Sequence, residues 1–295
     1  MTKLYGGVET GGTWCVCSRG AGPEDIHRRS EFRTTNPEET LARIVAFFRE
    51  QPATEAIGIG SFGPVDLNPS SPTWGYVTTT PKEGWQHTPV ATVVRDALGV
   101  PVAFDTDVGT AALAEYRWGA GRGHASICYV TVGTGIGAGL ILDGRPWHGL
   151  LHPEAGHIRV PHDETRDPFG GVCPAHGDCW EGLASGTAMA HRWKQPAREL
   201  PDDHPAWSLE AEYLALGILS IVCVASPHRI VVGGGVMEHP GLLEAIRARL
   251  RALIGGYLET SALGEQIDSY LVPADLGDDA GVLGALALAQ LLEAR

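Results

Sequence analysis

Two short glycine-threonine segments, each set between apolar runs, constrain this chain more than any other feature. Gly6-Gly7-Val8-Glu9-Thr10-Gly11-Gly12-Thr13 leads from a predicted strand at 4–8 to another at 14–18. Ser126–Val132 reads as a strand, 133–139 as a glycine turn and Leu140–Leu142 as the next strand. Helix and strand signals alternate after each pair. Behind the first, Asn36-Pro37-Glu38-Glu39 supplies the cap, proline and acidic first turn of a helix. Its apolar face is Leu41, Ile44, Val45 and Phe48. A strand at 56–60, a helix from Thr88-Pro89 to Gly99, a strand at 100–104 and a helix at 111–117 follow. Behind the second pair come helices at 210–225 and 240–254, strands at 229–232 and 267–272, and a helix at 280–292. One plan used twice predicts an α/β chain of two related halves facing each other across a cleft.

Glycine-rich turns let successive backbone N–H groups converge on an anion, because no Cβ blocks the approach. Gly11, Gly12 and Thr13, and likewise Gly133, Thr134 and Gly135, are candidates for holding phosphates. Neither turn is a Walker A loop, since no Gly-Lys-Ser/Thr follows. The spacing of Gly133, Gly135 and Ala138 imitates a dinucleotide fingerprint, but that pattern must open a helix and a strand follows here. A third cluster, Gly233, Gly234 and Gly235, follows a strand and would let a flat ligand such as adenine lie against backbone.

The formal net charge of −13 argues against partners that are phosphate backbones or anionic membranes. The start of the chain has no apolar targeting core, and Leu214–Ala225 is too short and interrupted to span a bilayer. A cytoplasmic protein with no nucleic-acid or membrane partner is expected. Cys15, Cys17, Cys128 and Cys223 sit in apolar contexts and read as small core residues. Cys173-Pro174-Ala175-His176-Gly177-Asp178-Cys179 is different. With His157 upstream, Cys173, His176 and Cys179 have the ligand types and tight spacing of a tetrahedral zinc site. Four protein ligands leave no open position, so the zinc would be structural and would pin the loop 158–172. His152 and His162 are rival ligands that spacing alone does not separate.

Asp107 follows a predicted strand and precedes a helix, where α/β folds bind ligands. Its carboxylate could act as a general base or as a helix cap, and Asp105 shares the second reading.

These segments together resemble the ROK sugar-kinase family, over essentially the whole chain. The resemblance rests on Gly7–Thr13, Thr78-Thr79-Thr80-Pro81-Lys82 with Gly84-Trp85, Asp107 with Ala111-Ala112-Leu113 and Glu115, and Gly133–Gly137. It continues through His152–His157, the Cys173/His176/Cys179 cluster with Glu181, and Gly233–Gly235. The Thr-Thr-Thr-Pro-Lys segment and the C-x2-H-x2-C centre are similar to the fructokinase branch. The resemblance implies two actin-like (ribonuclease H-like) ATPase domains around an interdomain cleft, with a zinc-bound loop. Domains are expected at 1–110 plus 280–295 and at 111–279. It implies ATP and Mg²⁺ as cofactors beside structural Zn²⁺, and a hexose substrate, fructose foremost, phosphorylated at its 6-hydroxyl with Asp107 as base. Glu154, His157 and Glu181 match positions that hold sugar hydroxyls. The two glycine-threonine turns would hold ATP phosphates, and Gly233–Gly235 would lie near adenosine. Another hexose (mannose, glucose or an N-acetylhexosamine) or a non-catalytic sugar sensor are the alternatives, and a homodimer is an allowed assembly. The family's repressors carry an N-terminal helix-turn-helix module, whereas a kinase-like strand begins here by residue 4. Trp14 departs from a usual lysine, Thr106 from a frequent asparagine before the aspartate, and Gly109 from a usual asparagine that contacts the helix start.

Overall fold

The computed structural model describes residues 3–50 and 54–293; the outermost ends of the expected first domain, 1–2 and 294–295, lie outside them. The first half of the chain runs β1 (Tyr5–Thr10), β2 (Trp14–Gly22), β3 (Asp25–Arg33), α1 (Pro37–Arg49), β4 (Ile57–Ser61), α2 (Val90–Leu98), β5 (Val102–Thr106) and α3 (Asp107–Trp118). Then come β6 (Ser126–Val132), β7 (Ile136–Leu142), β8 (Arg145–Pro146), α4 (Trp180–Ala184), α5 (Gly186–Trp193), α6 (Ala206–Ala225), β9 (Arg229–Gly233), α7 (Leu242–Ile254), α8 (Ile267–Tyr270), β10 (Leu271–Pro273) and α9 (Ala280–Gln290).

One sheet has the order β3-β2-β1-β4-β5 and the other β10-β9-β6-β7-β8. Read from β8, the second sheet repeats the first strand for strand. β1 pairs antiparallel with β2 and parallel with β4, which is parallel to β5. β9 is parallel to both β6 and β10. The two glycine-threonine turns therefore occupy the same place in each plan, β1–β2 and β6–β7. The chain divides into two compact units, Met1–Arg122 with Gly139–Pro153 and Asp278–Arg295, and Gly123–Ala138 with Glu154–Gly277.

In the first unit, α1 is capped by the Asn36 side chain, which accepts from Glu39 N–H at 2.9 Å. Its Leu41, Ile44, Phe47 and Phe48 join Val8, Ile57, Ile59 and Trp85 in the core. α9 is buried from Ala280 to Ala289 and needs glycine partners to press close. A Cβ on Gly58 would lie 1.9 Å from Ala285 O, and one on Gly284 would lie 1.7 Å from Thr110 O. β3 has no predicted counterpart above. Its Arg28, Arg29 and Glu31 face solvent at the sheet edge, which removes the apolar alternation that marks a strand and blunts the edge against pairing.

In the second unit the expected strand at 267–272 is shortened. Ile267 and Tyr270, both buried and three apart, form one helical turn, and only Leu271–Pro273 pairs with β9. α6 is longer than the apolar run suggested. Its 20 residues, with a mean hydropathy of 1.7 in the most apolar window, make it the one helix among the described residues long and apolar enough to cross a membrane. Half of that window is buried, and a Cβ on Gly217 would lie 2.0 Å from the Trp180 ring. We read α6 as the core helix of its unit.

α6 also carries a buried acid. Glu210 is almost wholly enclosed, and its Oε1 has no hydrogen-bond partner. Burial drives its carboxyl well above the usual range, and Arg192 offsets only part of that. A folded-state pKa above the unfolded value contributes stability below the unfolded pKa that is lost as pH rises toward the folded one. Glu210→Gln is therefore expected to raise the melting midpoint, by more at pH 8 than at pH 5. The advantage grows by up to about 1.4 kcal/mol per pH unit. Equal gains at both pH values in thermal denaturation would contradict this.

Candidate active site and metal centre

Each glycine-threonine turn has its carbonyls taken up by other groups of the protein. In the first, Gly11 O accepts from Thr34 Oγ1 at 2.8 Å, Gly12 O from Lys82 Nζ at 2.5 Å and Thr13 O from Thr34 N at 2.9 Å. In the second, Gly133 O accepts from Gly186 N at 2.7 Å, Thr134 O from Thr187 Oγ1 at 2.7 Å and Gly135 O from Gly133 N at 2.9 Å. The amides of Gly12, Thr13, Thr134 and Gly135 make no backbone hydrogen bond among the described residues. Carbonyls satisfied by the protein and amides left over give each turn the polarity of an anion cradle. Space matters too. A Cβ on Gly135 would lie 2.5 Å from Glu181 Oε2, whereas one on Gly12 would meet nothing within 4 Å. In the third cluster Gly234 has φ +93°, and a Cβ there would lie 2.5 Å from Val132 O. Gly235 opens a short 3-10 turn and faces open space.

Asp107 is the first residue of α3 and not its cap. Thr106 caps the helix, its Oγ1 accepting from Gly109 N at 2.9 Å. Thr106 thus supplies the side-chain cap at this helix start, where Gly109 has no side chain to contribute. A Cβ at 109 would lie 2.4 Å from Asp105 Oδ1, so glycine fits this local packing. Asp105 is fixed in turn: Oδ1 accepts from Thr106 N at 2.7 Å and Oδ2 lies 3.0 Å from His148 Nε2. Asp107 Oδ1 accepts from Val108 N at 2.8 Å. Burial, with a smaller push from Asp105, raises the Asp107 carboxyl to about 6 against that backbone hydrogen bond. Such a group stays ionised at neutral pH yet has gained basicity.

Glu9, at the end of β1, was not singled out by the sequence. Burial, then repulsion from Asp107, raise it to about 7. A Cβ on Gly281 would lie 2.2–2.5 Å from its carboxyl atoms, so the acid packs on the first turn of α9. Gly186 and Thr187, behind the second turn, were also missed. Ser185-Gly186-Thr187 reads locally only as a helix start, and Ser185 does cap α5, its side chain accepting from Ala188 N at 3.1 Å.

The second unit brings His157, Cys173, His176 and Cys179 together, with one donor atom from each all within 4.8 Å of one another. His157 Nδ1 lies 3.7 Å from Cys173 Sγ and 3.6 Å from Cys179 Sγ, and His176 Nδ1 lies 3.6 Å from Cys173 Sγ. A tetrahedral ion with Zn–S about 2.3 Å and Zn–N about 2.0–2.1 Å separates S from N by about 3.6 Å. The four donors fit zinc. Burial pushes the Cys179 thiol up to about 11, and a bound cation opposes that by favouring the thiolate.

The rival histidines are engaged elsewhere. His152 Nε2 accepts from Val65 N at 3.1 Å. His162 Nε2 lies 2.9 Å from Asp167 O, beside a buried Asp167 that pairs with Arg192 at 3.1 Å and accepts from Tyr213 OH at 2.7 Å. The backbone that presents the ligands is tight: Cys173 and Gly177 exchange hydrogen bonds of 3.1 and 2.9 Å, and Gly177 has φ +63°. On the far side of His157, Nε2 lies 3.9 Å from Glu154 Oε2. Two residues after Cys179, Glu181 Oε2 accepts from Ile136 N at 3.0 Å and so ties the metal loop to the second glycine turn.

The model of the ROK family matches residues 5–291. The chain belongs to the ROK family. A fructokinase of Zymomonas mobilis subsp. mobilis is 43% identical over 99% of this chain and 98% of its own length. A fructokinase of Pediococcus pentosaceus is 38% identical over 97% of this chain and 98% of its own. Among solved structures, a ROK family glucokinase from Streptomyces griseus in complex with glucose and AMPPNP is 29% identical. It superimposes with a TM-score of 0.77, covering 98% of this chain and 99% of that one. The fold is the ROK sugar-kinase fold, an actin-like ATPase with two α/β sheets, as the resemblance implied.

Proposed function

We propose that the protein transfers the γ-phosphate of ATP to the 6-hydroxyl of fructose, giving fructose 6-phosphate and ADP. The observation that carries this reading is Asp107: a half-buried residue that opens α3 directly after β5, its carboxyl raised to about 6 by desolvation. Phosphoryl transfer requires positioning and charge neutralisation more than covalent catalysis. Asp107 accepts the proton of the attacking hydroxyl. The free amides of the Gly11–Thr13 and Gly133–Gly135 turns bind phosphate oxygens and absorb the charge that develops on them. Gly233, Gly234 and Gly235 give adenine a flat backbone surface.

Glu154, His157 and Glu181 hold sugar hydroxyls. His157 would hold structural zinc through one ring nitrogen and leave the other for the sugar side, so that a bound metal would fix the imidazole's orientation. Cys173, His176 and Cys179 complete that centre. Glu9 would be the carboxylate that holds Mg²⁺, a cation that when bound would neutralise the phosphates. Fructose is preferred over glucose because the relatives of highest identity described above are fructokinases and because Thr106 replaces asparagine before the base. Phosphorus NMR of the product formed from fructose and ATP tests the assignment. A single ester on carbon 6 is expected; an ester on carbon 1 would refute it.

A further inference from the structure

Trp14, and not a cationic residue, follows Gly11-Gly12-Thr13 in the sequence. In the structure Trp14 is 43% exposed, and the Arg33 guanidinium stacks on its ring at 4.3 Å. A different cation reaches the turn. Lys82, 70 residues away in sequence, places Nζ 2.5 Å from Gly12 O.

This contact comes from an anchored segment. Trp85 is fully buried and donates its indole N–H to Thr35 O at 2.8 Å. Its ring packs edge-on against Phe62 at 5.1 Å, and Lys82 Nζ lies 6.0 Å from the Phe62 centroid. Gln86 Nε2 donates to Thr80 O at 2.8 Å, Lys82 N to Thr80 Oγ1 at 3.3 Å and Trp85 N to Lys82 O at 3.2 Å. The backbone at 80–86 is thus held at both ends. An ammonium has three donors, and Gly12 O occupies one. Two donors remain at a turn whose Gly12 and Thr13 amides make no backbone hydrogen bond among the described residues.

We infer that Lys82 is the phosphate-binding cation of the first glycine turn, and that its ligand is the polyphosphate of a nucleoside triphosphate. A polyphosphate carries several negative charges and the chain a net −13, so one fixed ammonium at the turn outweighs the distant background, which salt screens. The inference rests on the reading of Gly11–Thr13 as a phosphate cradle.

Calorimetric titration of the full chain with AMP, ADP and ATP tests it. The wild type is expected to bind ATP tighter than AMP. In Lys82→Met the ATP affinity should fall about tenfold or more, the loss of one charge-assisted hydrogen bond, with AMP affinity unchanged. Lys82→Arg should recover most of the loss. Lys82 is half-buried, but its contact is with a carbonyl of the exposed Gly12, so the melting midpoint should hold in both variants. In steady-state assays the KM for ATP should rise in Lys82→Met while the KM for the sugar stays within about twofold. A wild type that binds AMP and ATP equally would overturn the cradle and the inference together. A wild type that prefers ATP, with Lys82→Met binding it as tightly, would overturn the inference alone. A rise confined to the sugar's KM would also overturn it.

Discussion

Asp107→Asn is expected to fold normally and to lose about 10³-fold in kcat, within the range of 10²–10⁴ typical of removing a general base. The amide oxygen of asparagine can still accept from Val108 N, the 2.8 Å contact made by Asp107 Oδ1. Thr106 still caps α3 through Gly109 N. The helix start is therefore kept while the proton acceptor is lost. The effect should fall on kcat with little change in the KM for ATP. In the wild type the active form is the carboxylate. With its pKa raised to about 6, kcat should rise as pH increases through about 6 and then level off. Asp107→Asn should lack this rise. Residual activity above a tenth of wild type, or a mutant that keeps the pH step, would remove Asp107 from the role of base.

Removing zinc is expected to cost the second unit a large part of its stability and to end sugar phosphorylation as well. The loop 158–172 has little regular structure, and Cys173, His176 and Cys179 are joined by one tight turn. Metal binding energy becomes folding energy where an unfolded chain has no formed site. Loss of even about 4 kcal/mol would lower the midpoint by about 8–16 °C for a domain of this size. Chelation under mild conditions should produce that drop, and Cys179→Ser should reproduce it without chelator. Metal analysis should find one zinc per chain in the wild type and in His162→Gln, and much less in Cys173→Ser. A midpoint unmoved by a chelator that has stripped the metal would contradict the structural role. Kinase activity is expected to fall with the metal, because the Nδ1 beside the two thiols and the Nε2 3.9 Å from Glu154 belong to one ring.

The parts of the fold that were legible in sequence share a cause. Gly11–Thr13, Gly133–Gly135 and the Cys173–Cys179 turn are local. Their spacing alone limits what the backbone and side chains can do, and the structure forms them as turns between strands and a four-donor cluster. The repeat was faint in the residues yet is complete in strand order, because the order depends on connection and handedness more than on particular side chains. The parts that were missed depend on contacts distant in sequence. Nothing near residue 82 says that its ammonium meets Gly12. Nothing near Glu9 says that α9 will cover it. His152 and His162 could not be told from zinc ligands until Val65 and Asp167 were seen to hold them. β3 was hidden by its charges, and Ile267–Tyr270 by apolar residues that suit a strand or a single helical turn equally well.

ATP-dependent phosphorylation of fructose stands or falls on ADP release from the purified protein with ATP, Mg²⁺ and each of fructose, mannose, glucose and N-acetylmannosamine in turn. Sugar-dependent ADP release with the highest kcat/KM on fructose is expected. Glucose as the better substrate would contradict the fructose assignment, and no ADP release with any hexose would contradict the kinase itself.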